Sequence, residues 1–394
     1  MKKTKRQRDV PAIRFPGFTD SWEQRKLGEL CNITTGKLDA NAMVSDGQYD
    51  FYTSGIDVFK IGVAAFEGPA ITIAGNGASV GYMHLADGKF NAYQRTYVLT
   101  DFLADRQFLN VAIGNELPDK IQEEVRGSGI PYIVLNMLTD LAIPFPSHEE
   151  QYAIGVYFQQ LDNLITLQER KCRVLRELKK CMLQKMFPKN GSDIPEIRFP
   201  GFTDSWEQRK LLDYADFYSG NGLSWNDISD DGQEECILYG NLYTEYGMIA
   251  DKIVYRTNST IKNPVYSKFG DVLIPASDTT PTGLARATSI EKSGVLLGGD
   301  INIVRPKDKI NGSCLSLAIN ANKKELIKFI KGTSVRHIHN ADIKTIEIPM
   351  PQNNAEQEKL VNYFKNLDNL IILQERKCKV LRELKKCMLQ KMFV

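Results

Sequence analysis

The chain has 394 residues, 42% hydrophobic and 25% charged, with a formal net charge of +2. That composition fits two or three folded domains and excludes a largely disordered chain. No apolar run approaches the ~20 residues of a membrane span, and the basic start MKKTKRQRD runs into Pro11, Arg14 and Pro16 instead of a signal-peptide core, so a cytoplasmic location is expected.

Residues 1–9 carry +4, and Ile13–Leu27 (IRFPGFTDSWEQRKL) follow. Region 28–142 has a net charge of −7 and mixes turn residues with β-like runs at Ala70–Ala74 and Thr96–Leu99. It contains Gly75-Asn76-Gly77-Ala78-Ser79-Val80-Gly81, Tyr93-Gln94 and Arg126-Gly127-Ser128, and it ends at Ile143-Pro144-x-Pro146. Ser147 and Glu150 then have the spacing of a capping box, which places a helix start there. From Leu161 to Phe187 no Gly or Pro interrupts a run rich in Leu, Glu, Lys, Arg, Gln and Met, so the helix is expected to run from the cap to Phe187. The expected helix has about 40 residues and is about 60 Å long at ~1.5 Å per residue.

Heptad spacing gives an apolar stripe of Leu161, Ile165, Cys172, Leu175 and Met182, broken by Gln168 and Lys179. Leu167, Val174, Leu178 and Cys181 fall on a different face, separated from the stripe by charged residues. Two apolar faces imply two partners: another helix on the first and another protein on the second.

After a Pro/Gly/Ser linker at 188–196 the pattern repeats. Ile13–Leu27 recurs unchanged as Ile197–Leu211, and Leu161–Phe187 recurs as Leu367–Phe393 with two substitutions, at Ile372 and Lys379. Asn353 and Glu356 form the second capping box, and Ile348-Pro349-x-Pro351 the second IPxP. The second stripe is Leu367, Ile371, Cys378, Leu381 and Met388, and the second outer face is Leu373, Val380, Leu384 and Cys387. The boxes are offset by 184 residues but the helices by 206, so the second variable region is 22 residues longer. Its β-like runs are Val272–Ile274 and Ile301–Arg305, and Lys331-Gly332-Thr333 matches Arg126-Gly127-Ser128; GNGASVG and Tyr-Gln have no clear copy in it.

The expected fold is α+β, with two globular readers in tandem and two long helices forming an antiparallel coiled coil. The expected segments are 1–142 (first reader), 143–187 (central helical spacer), 188–196 (linker), 197–347 (second reader) and 348–394 (C-terminal helical spacer). An antiparallel pair puts one reader at each end with pseudo-twofold symmetry, as in dimeric readers of half-sites about 34 Å apart. The seven cysteines form no CxxC pair, and His337 and His339 lack a third ligand at suitable spacing, so no metal site is expected.

In this order the motifs resemble the specificity subunit of type I restriction-modification systems. The likeness spans essentially the whole chain and rests on Trp22, Lys26 and Leu27 with Trp206, Lys210 and Leu211, the IPxP segments leading to Glu150-Gln151 and Glu356-Gln357, and the two LDNLI openings. It rests also on GNGASVG with Tyr93-Gln94, and on Gly270-Asp271-Val272-Leu273. The resemblance implies two target-recognition domains, each binding one half of a bipartite double-stranded DNA site. It also implies helices that recruit two methyltransferase subunits, and a restriction/translocase subunit completing the complex. Catalysis, with S-adenosylmethionine, ATP and magnesium, would belong to those partners, and this chain would hold no cofactor. It contains no GxxxxGK[ST] loop and no NPPY-type segment.

Side chains able to read base edges or grip phosphate are Lys37, Asn76, Ser79, Gln94, Arg95 and Arg126 in the first reader. In the second they are Asn221, Thr279, Thr280, Arg286, Lys331, Arg336 and His337. The alternatives are a self-sufficient DNA methyltransferase or endonuclease, and a coiled-coil scaffold with no DNA role, which the acidic first reader favours.

Overall fold

The computed structural model describes residues 10–124, 131–189 and 191–393. They form two compact units, one made of Met1–Arg170 with Glu375–Val394 and the other of Lys171–Gln374. Each unit holds one reader and a segment of both long helices, His148–Lys185 and Asn354–Met392, which have 38 and 39 residues. None of the described helices is long and apolar enough to cross a membrane.

In the first unit, one four-stranded sheet runs in the order Asn32–Thr35, Thr96–Thr100, Ala70–Ala74, Met83–Ala86. A second runs Val58–Ile61, Tyr49–Tyr52, Lys89–Ala92, Phe66–Glu67. All of Ala70–Ala74 is buried because the strand faces two cores with a period of two. Ile71 and Ile73 pack with Phe108, Leu109, Ile113 and Leu117 of helix Arg106–Glu124, while Ala70 packs with Tyr52, Phe90 and Val98.

In the second unit, a five-stranded sheet runs Ala215–Ser219, Ile301–Pro306, Val272–Pro275, Thr288–Ile290, Ile249–Ala250. A three-stranded sheet runs Tyr255–Thr257, Glu234–Ile237, Leu296–Leu297. Helix Gly312–Ala321 packs Cys314, Leu315, Leu317, Ala318 and Ile319 into the core. The β-like runs expected in both readers are thus strands, each within one residue of its expected bounds.

Both repeated boxes end in a short strand, and each strand pairs antiparallel with the IPxP segment. Glu23–Lys26 lies on Ala142–Phe145, and Glu207–Lys210 lies on Glu347–Met350. This pairing delivers the box to the first turn of the long helix. There Arg14 donates from Nε and Nη2 to the two carboxylate oxygens of Glu150 at 2.6 and 2.7 Å, and Trp22 Nε1 donates to Glu150 at 3.1 Å. Arg198 grips Glu356 in the same way at 2.7 and 2.8 Å. The capping-box expectation is therefore corrected in part. Ser147 Oγ does accept from Glu150 N at 3.4 Å, and Asn353 Oδ1 from Ala355 N at 2.9 Å, but neither Glu side chain turns back to its cap. A buried carboxylate is better compensated by a bidentate guanidinium than by a single amide.

The next residue fastens the reader. Gln151 accepts from Asp105 N at 3.1 Å and donates to Pro146 O at 2.8 Å, and Gln357 accepts from Asn311 N at 2.8 Å and donates to Pro351 O at 2.9 Å. Each box also meets the far end of the other long helix: Ile13 N donates to Lys391 O and Ile197 N to Lys185 O, both at 2.9 Å. Phe393 stands edge-on to Trp22 and Phe187 edge-on to Trp206.

The long helices run antiparallel within each unit. In the first unit Lys385 pairs with Asp162 at 2.6 Å and Arg382 with Glu169 at 2.5 Å; in the second Lys179 pairs with Asp368 at 2.5 Å. Lys179–Asp368 and Lys385–Asp162 are the same contact in the repeat, which explains the lysine break in the heptad stripe. Leu161, Ile165, Cys172, Leu367, Ile371 and Cys378 are buried. Leu381 and Met388 pack against the first core, and Leu175 and Met182 against the second.

Replacing Arg14 with Ala strands a buried carboxylate and is expected to cost about 3–5 kcal/mol in the denaturant unfolding of the first unit, followed by circular dichroism. The double variant Arg14→Met/Glu150→Leu is expected to recover part of that loss. An unchanged midpoint for Arg14→Ala would rule out the clamp as an anchor.

Candidate nucleic-acid interface

Several loops of the first reader are drawn together at one end of its sheets by backbone hydrogen bonds. Gln94 N donates to Leu38 O at 2.8 Å, Gly75 N to Arg95 O at 2.9 Å, Tyr93 N to Tyr52 O at 2.9 Å and Ile133 N to Gly75 O at 2.7 Å. Ser54 Oγ donates to the side-chain oxygen of Asn76 at 2.6 Å. Lys37, Asn76, Gln94 and Arg95 therefore share one rim, with Lys37, Gln94 and Arg95 exposed. Ser79 sits half-buried in the turn that follows Asn76, where its carbonyl accepts from Tyr82 N at 3.0 Å. Arg126 and its Gly127-Ser128 neighbours lie outside the described residues. Behind this loop His84 packs between Tyr52 and Tyr82, and burial holds its imidazole below the ordinary range.

Close packing dictates glycine at the rim. A Cβ on Gly36 would stand 1.9 Å from Ala92 O, and one on Gly75 2.3 Å from Arg95 O.

The second reader has the same frame under a different sequence. Gly299 N donates to Gly222 O at 2.6 Å, Ala276 N to Asp300 O at 2.8 Å, Gly298 N to Ile237 O at 2.9 Å and Ile338 N to Ala276 O at 3.1 Å. These bonds correspond one for one with those of the first rim. Gly298-Gly299 stands where Tyr93-Gln94 does, and the loop from Ala276 stands where GNGASVG begins. Gly220 answers Gly36, since its Cβ would lie 2.0 Å from Gly298 O. The elements that had no clear copy in the sequence are present as backbone geometry. Most of the 22 extra residues fall between Ile237 and Ala276, where helix Asn241–Thr244 and strand Ile249–Ala250 are found.

Asn221 lies on this second rim, with its amide spent on the carbonyls of Lys262 and Asn263 at 2.8 and 3.0 Å. Thr279 bonds to Asp278, and Thr280 caps the short helix Pro281–Leu284 by accepting from Gly283 N at 3.1 Å. Ser277–Asp278 pairs with Arg336–His337, and the Ser277 hydroxyl is 3.0 Å from His337 Nδ1. Arg336 donates to Gly332 O at 2.9 Å, and Lys331 pairs with Asp342 at 3.2 Å. Arg286 is set inward, over the Tyr243 ring at 5.6 Å and donating to Tyr246 O at 3.2 Å; burial lowers its pKa and raises that of the Tyr243 hydroxyl. Tyr132, exposed by 61% and bridged to Asn76, also stands on the first rim, and Trp225, exposed by 53%, follows Gly222 of the second rim by three residues and packs edge-on to Tyr255. Composition gave no reason to single them out; their exposure is the signal.

On the helices, Leu167, Val174, Cys181, Leu373, Val380, Leu384 and Cys387 are exposed, whereas Leu178 is half-buried and packs against the second core. Among the described residues no group of three or more His, Cys, Asp or Glu could hold a metal ion.

The family model for the type I restriction modification DNA specificity domain matches residues 19–177 and again 203–383. The sequence is 39% identical to the EcoDI specificity subunit of Escherichia coli over 184 residues, 45% of this chain and 40% of that protein. It is 25% identical to the MjaVIII specificity subunit of Methanocaldococcus jannaschii over 286 residues, 68% of this chain and 64% of that one. These matches span less than two thirds of either relative's length. The crystal structure of an S subunit from M. genitalium superposes with a TM-score of 0.67 at 17% identity, covering 98% of this chain and 99% of that one. A structure described as showing complex assembly and conformational transition of the type I R-M system gives 0.55 at 18% identity, covering 97% and 99%. At such identities the superpositions establish a shared fold.

Gly36→Ala and Gly220→Ala each force a carbonyl to move and are expected to destabilise their own unit by about 1–3 kcal/mol. Gly62→Ala, where nothing lies within 4 Å of the added methyl, serves as the silent control in the same thermal melts.

Proposed function

Because this chain belongs to the family of type I restriction-modification DNA specificity subunits, we propose that it is the DNA-recognition and assembly subunit of such a system. Each reader binds one half of a bipartite double-stranded target, and catalysis belongs to partner subunits. The observation that carries this reading is the doubled rim. Two readers share one hydrogen-bonded frame and differ in the side chains set on it, the division of labour expected where a scaffold is fixed and the base sequence read is not.

On this reading Lys37, Asn76, Ser79, Gln94 and Arg95 face DNA in the first half, and Asn221, Thr279, Thr280, Lys331, Arg336 and His337 in the second. The exposed apolar face of the helices, Val174 and Val380 foremost, takes two copies of a methyltransferase subunit, because the repeat offers the same surface twice. A translocase-nuclease subunit completes the complex in the cytoplasm, and S-adenosylmethionine, ATP and magnesium are bound by the partners.

The test is base-resolution methylation sequencing in cells expressing the chain with its methyltransferase subunit. A new bipartite motif is expected, and exchanging residues 28–142 for another member's reader is expected to change one half alone. Absence of any motif despite co-purification would refute DNA reading. Turnover by the purified chain alone would favour the self-sufficient enzyme.

The variant Val174→Lys/Val380→Lys is expected to lower the methyltransferase recovered on co-purification by about 10-fold or more. Its unfolding free energy should stay within about 0.5 kcal/mol of the parent's, since both side chains face solvent. Full recovery of the partner would place the docking surface elsewhere.

A further inference from the structure

We propose that one equivalent position in each reader, Tyr132 in the first and His337 in the second, selects a base in its half of the target. The proposal rests on the DNA-reading function above and assigns it to particular side chains.

The equivalence comes from the backbone. Ile133 N donates to Gly75 O and Ile338 N to Ala276 O, so the two isoleucines answer each other, as do the residues just before them. Tyr132 is bridged antiparallel to Asn76, and His337 is paired antiparallel to Ser277. Both isoleucines are buried, so by the alternation of extended chain the preceding side chain points away from the core. Tyr132 and His337 are both exposed. Neither belongs to an apolar cluster of its unit, yet each is held by backbone pairing beside a buried neighbour, Tyr132 by its bridge to Asn76 and His337 by the strand pair with Ser277. A large side chain presented to solvent from a bonded backbone and outside the core is suited to contact.

The chemistry of each pair fits a base edge. His337 has one ring nitrogen engaged, Nδ1 at 3.0 Å from Ser277 Oγ, which leaves Nε2 for an outside partner. The Ser277 hydroxyl can donate or accept, so Nε2 can offer a hydrogen to a purine N7 or guanine O6, or take one from adenine N6 or cytosine N4. His339, two residues on and on the same face, holds its ring parallel to that of His337 at 6.2 Å. In the first reader the Tyr132 hydroxyl has the same dual capacity, and Asn76, whose side-chain oxygen accepts from Ser54, is the adjacent polar group. Where the frames coincide, the pairs differ: Tyr132 with Asn76 against His337 with Ser277. A difference placed on a common frame is what two different half-targets require.

The experiment uses the full chain co-expressed with its methyltransferase subunit, read by base-resolution methylation sequencing. Tyr132→Ala is expected to relax or change one half-target, with methylation of the original half falling by about 10-fold or more, while the other half and the gap stay as in the parent. His337→Ala is expected to do the same to the other half. A parent that yields a bipartite motif while either variant methylates it unchanged, or a single variant that alters both halves, overturns the proposal. A parent that yields no motif overturns the DNA-reading function itself. If an alanine variant fails to fold by thermal melting, Tyr132→Gln and His337→Gln are read in its place, and an unchanged half-target in either is equally fatal.

Discussion

The structure depends on a buried carboxylate at the start of each long helix. Glu150 and Glu356 have almost no solvent contact, and a lone ionised carboxylate in such a place would be strongly destabilising. Each is compensated by the bidentate guanidinium of Arg14 or Arg198, which comes from outside its helix, and by the N-terminus of its own helix, which favours negative charge. The repeated box therefore has one position it can occupy. With the following glutamine tied to Asp105 N or Asn311 N, two consecutive residues hold the box and the reader on the same helical turn. None of these contacts involves the rim. A reader can change what it presents without disturbing how it is attached.

The helices follow the same logic. Lys179 and Lys385 interrupt an apolar stripe, a costly choice unless each meets an acid, and Asp368 and Asp162 supply one. Pairs of this kind act more on register than on stability, because a slide of one helix along the other would strand both charges. Gln168 and Gln374, the remaining polar breaks, have a buried side-chain oxygen with no partner, and the structure offers no account of them.

What is legible in the sequence is whatever is local or repeated. The helix spans follow from uninterrupted helix formers and a cap residue, the seam from heptad spacing, and the strands from β-branched runs. Local rules fail where the partner is remote. Capping-box spacing assigns Glu150 to Ser147, but its side chain belongs to Arg14, 136 residues earlier. The second rim is hidden in the sequence because its likeness to the first lies in which amide meets which carbonyl. Gly298-Gly299 shares no side chain with Tyr93-Gln94, and an insertion between Ile237 and Ala276 removes the constant offset that makes the boxes obvious. Tyr132 and Trp225 carry no sequence signal because an aromatic residue in a β-rich segment is ordinarily core, and only its exposure in the fold shows otherwise.

Charge frames how such a chain would handle DNA. The first reader carries −7 over residues 28–142, and the net positive charge of the chain sits in its first nine residues and in the repeated stretches Leu161–Phe187 and Leu367–Phe393, each of which carries +4. Phosphate contacts supply most of the affinity for DNA and its salt dependence, whereas base contacts supply the choice of sequence. The rims carry few cations, Lys37 and Arg95 on the first and Lys331 and Arg336 on the second, the latter two engaged by Asp342 and by Gly332 O, whereas Asn76, Gln94 and His337 can exchange hydrogen bonds with base edges, so the rims are better equipped for choice than for affinity. In the proposed complex the affinity must then come largely from basic surface outside the readers, on the helices or on the partners they hold. On the proposed function, such a division would make recognition conditional on assembly, because a reader that bound DNA weakly alone would select its target only with the backbone-gripping subunits in place.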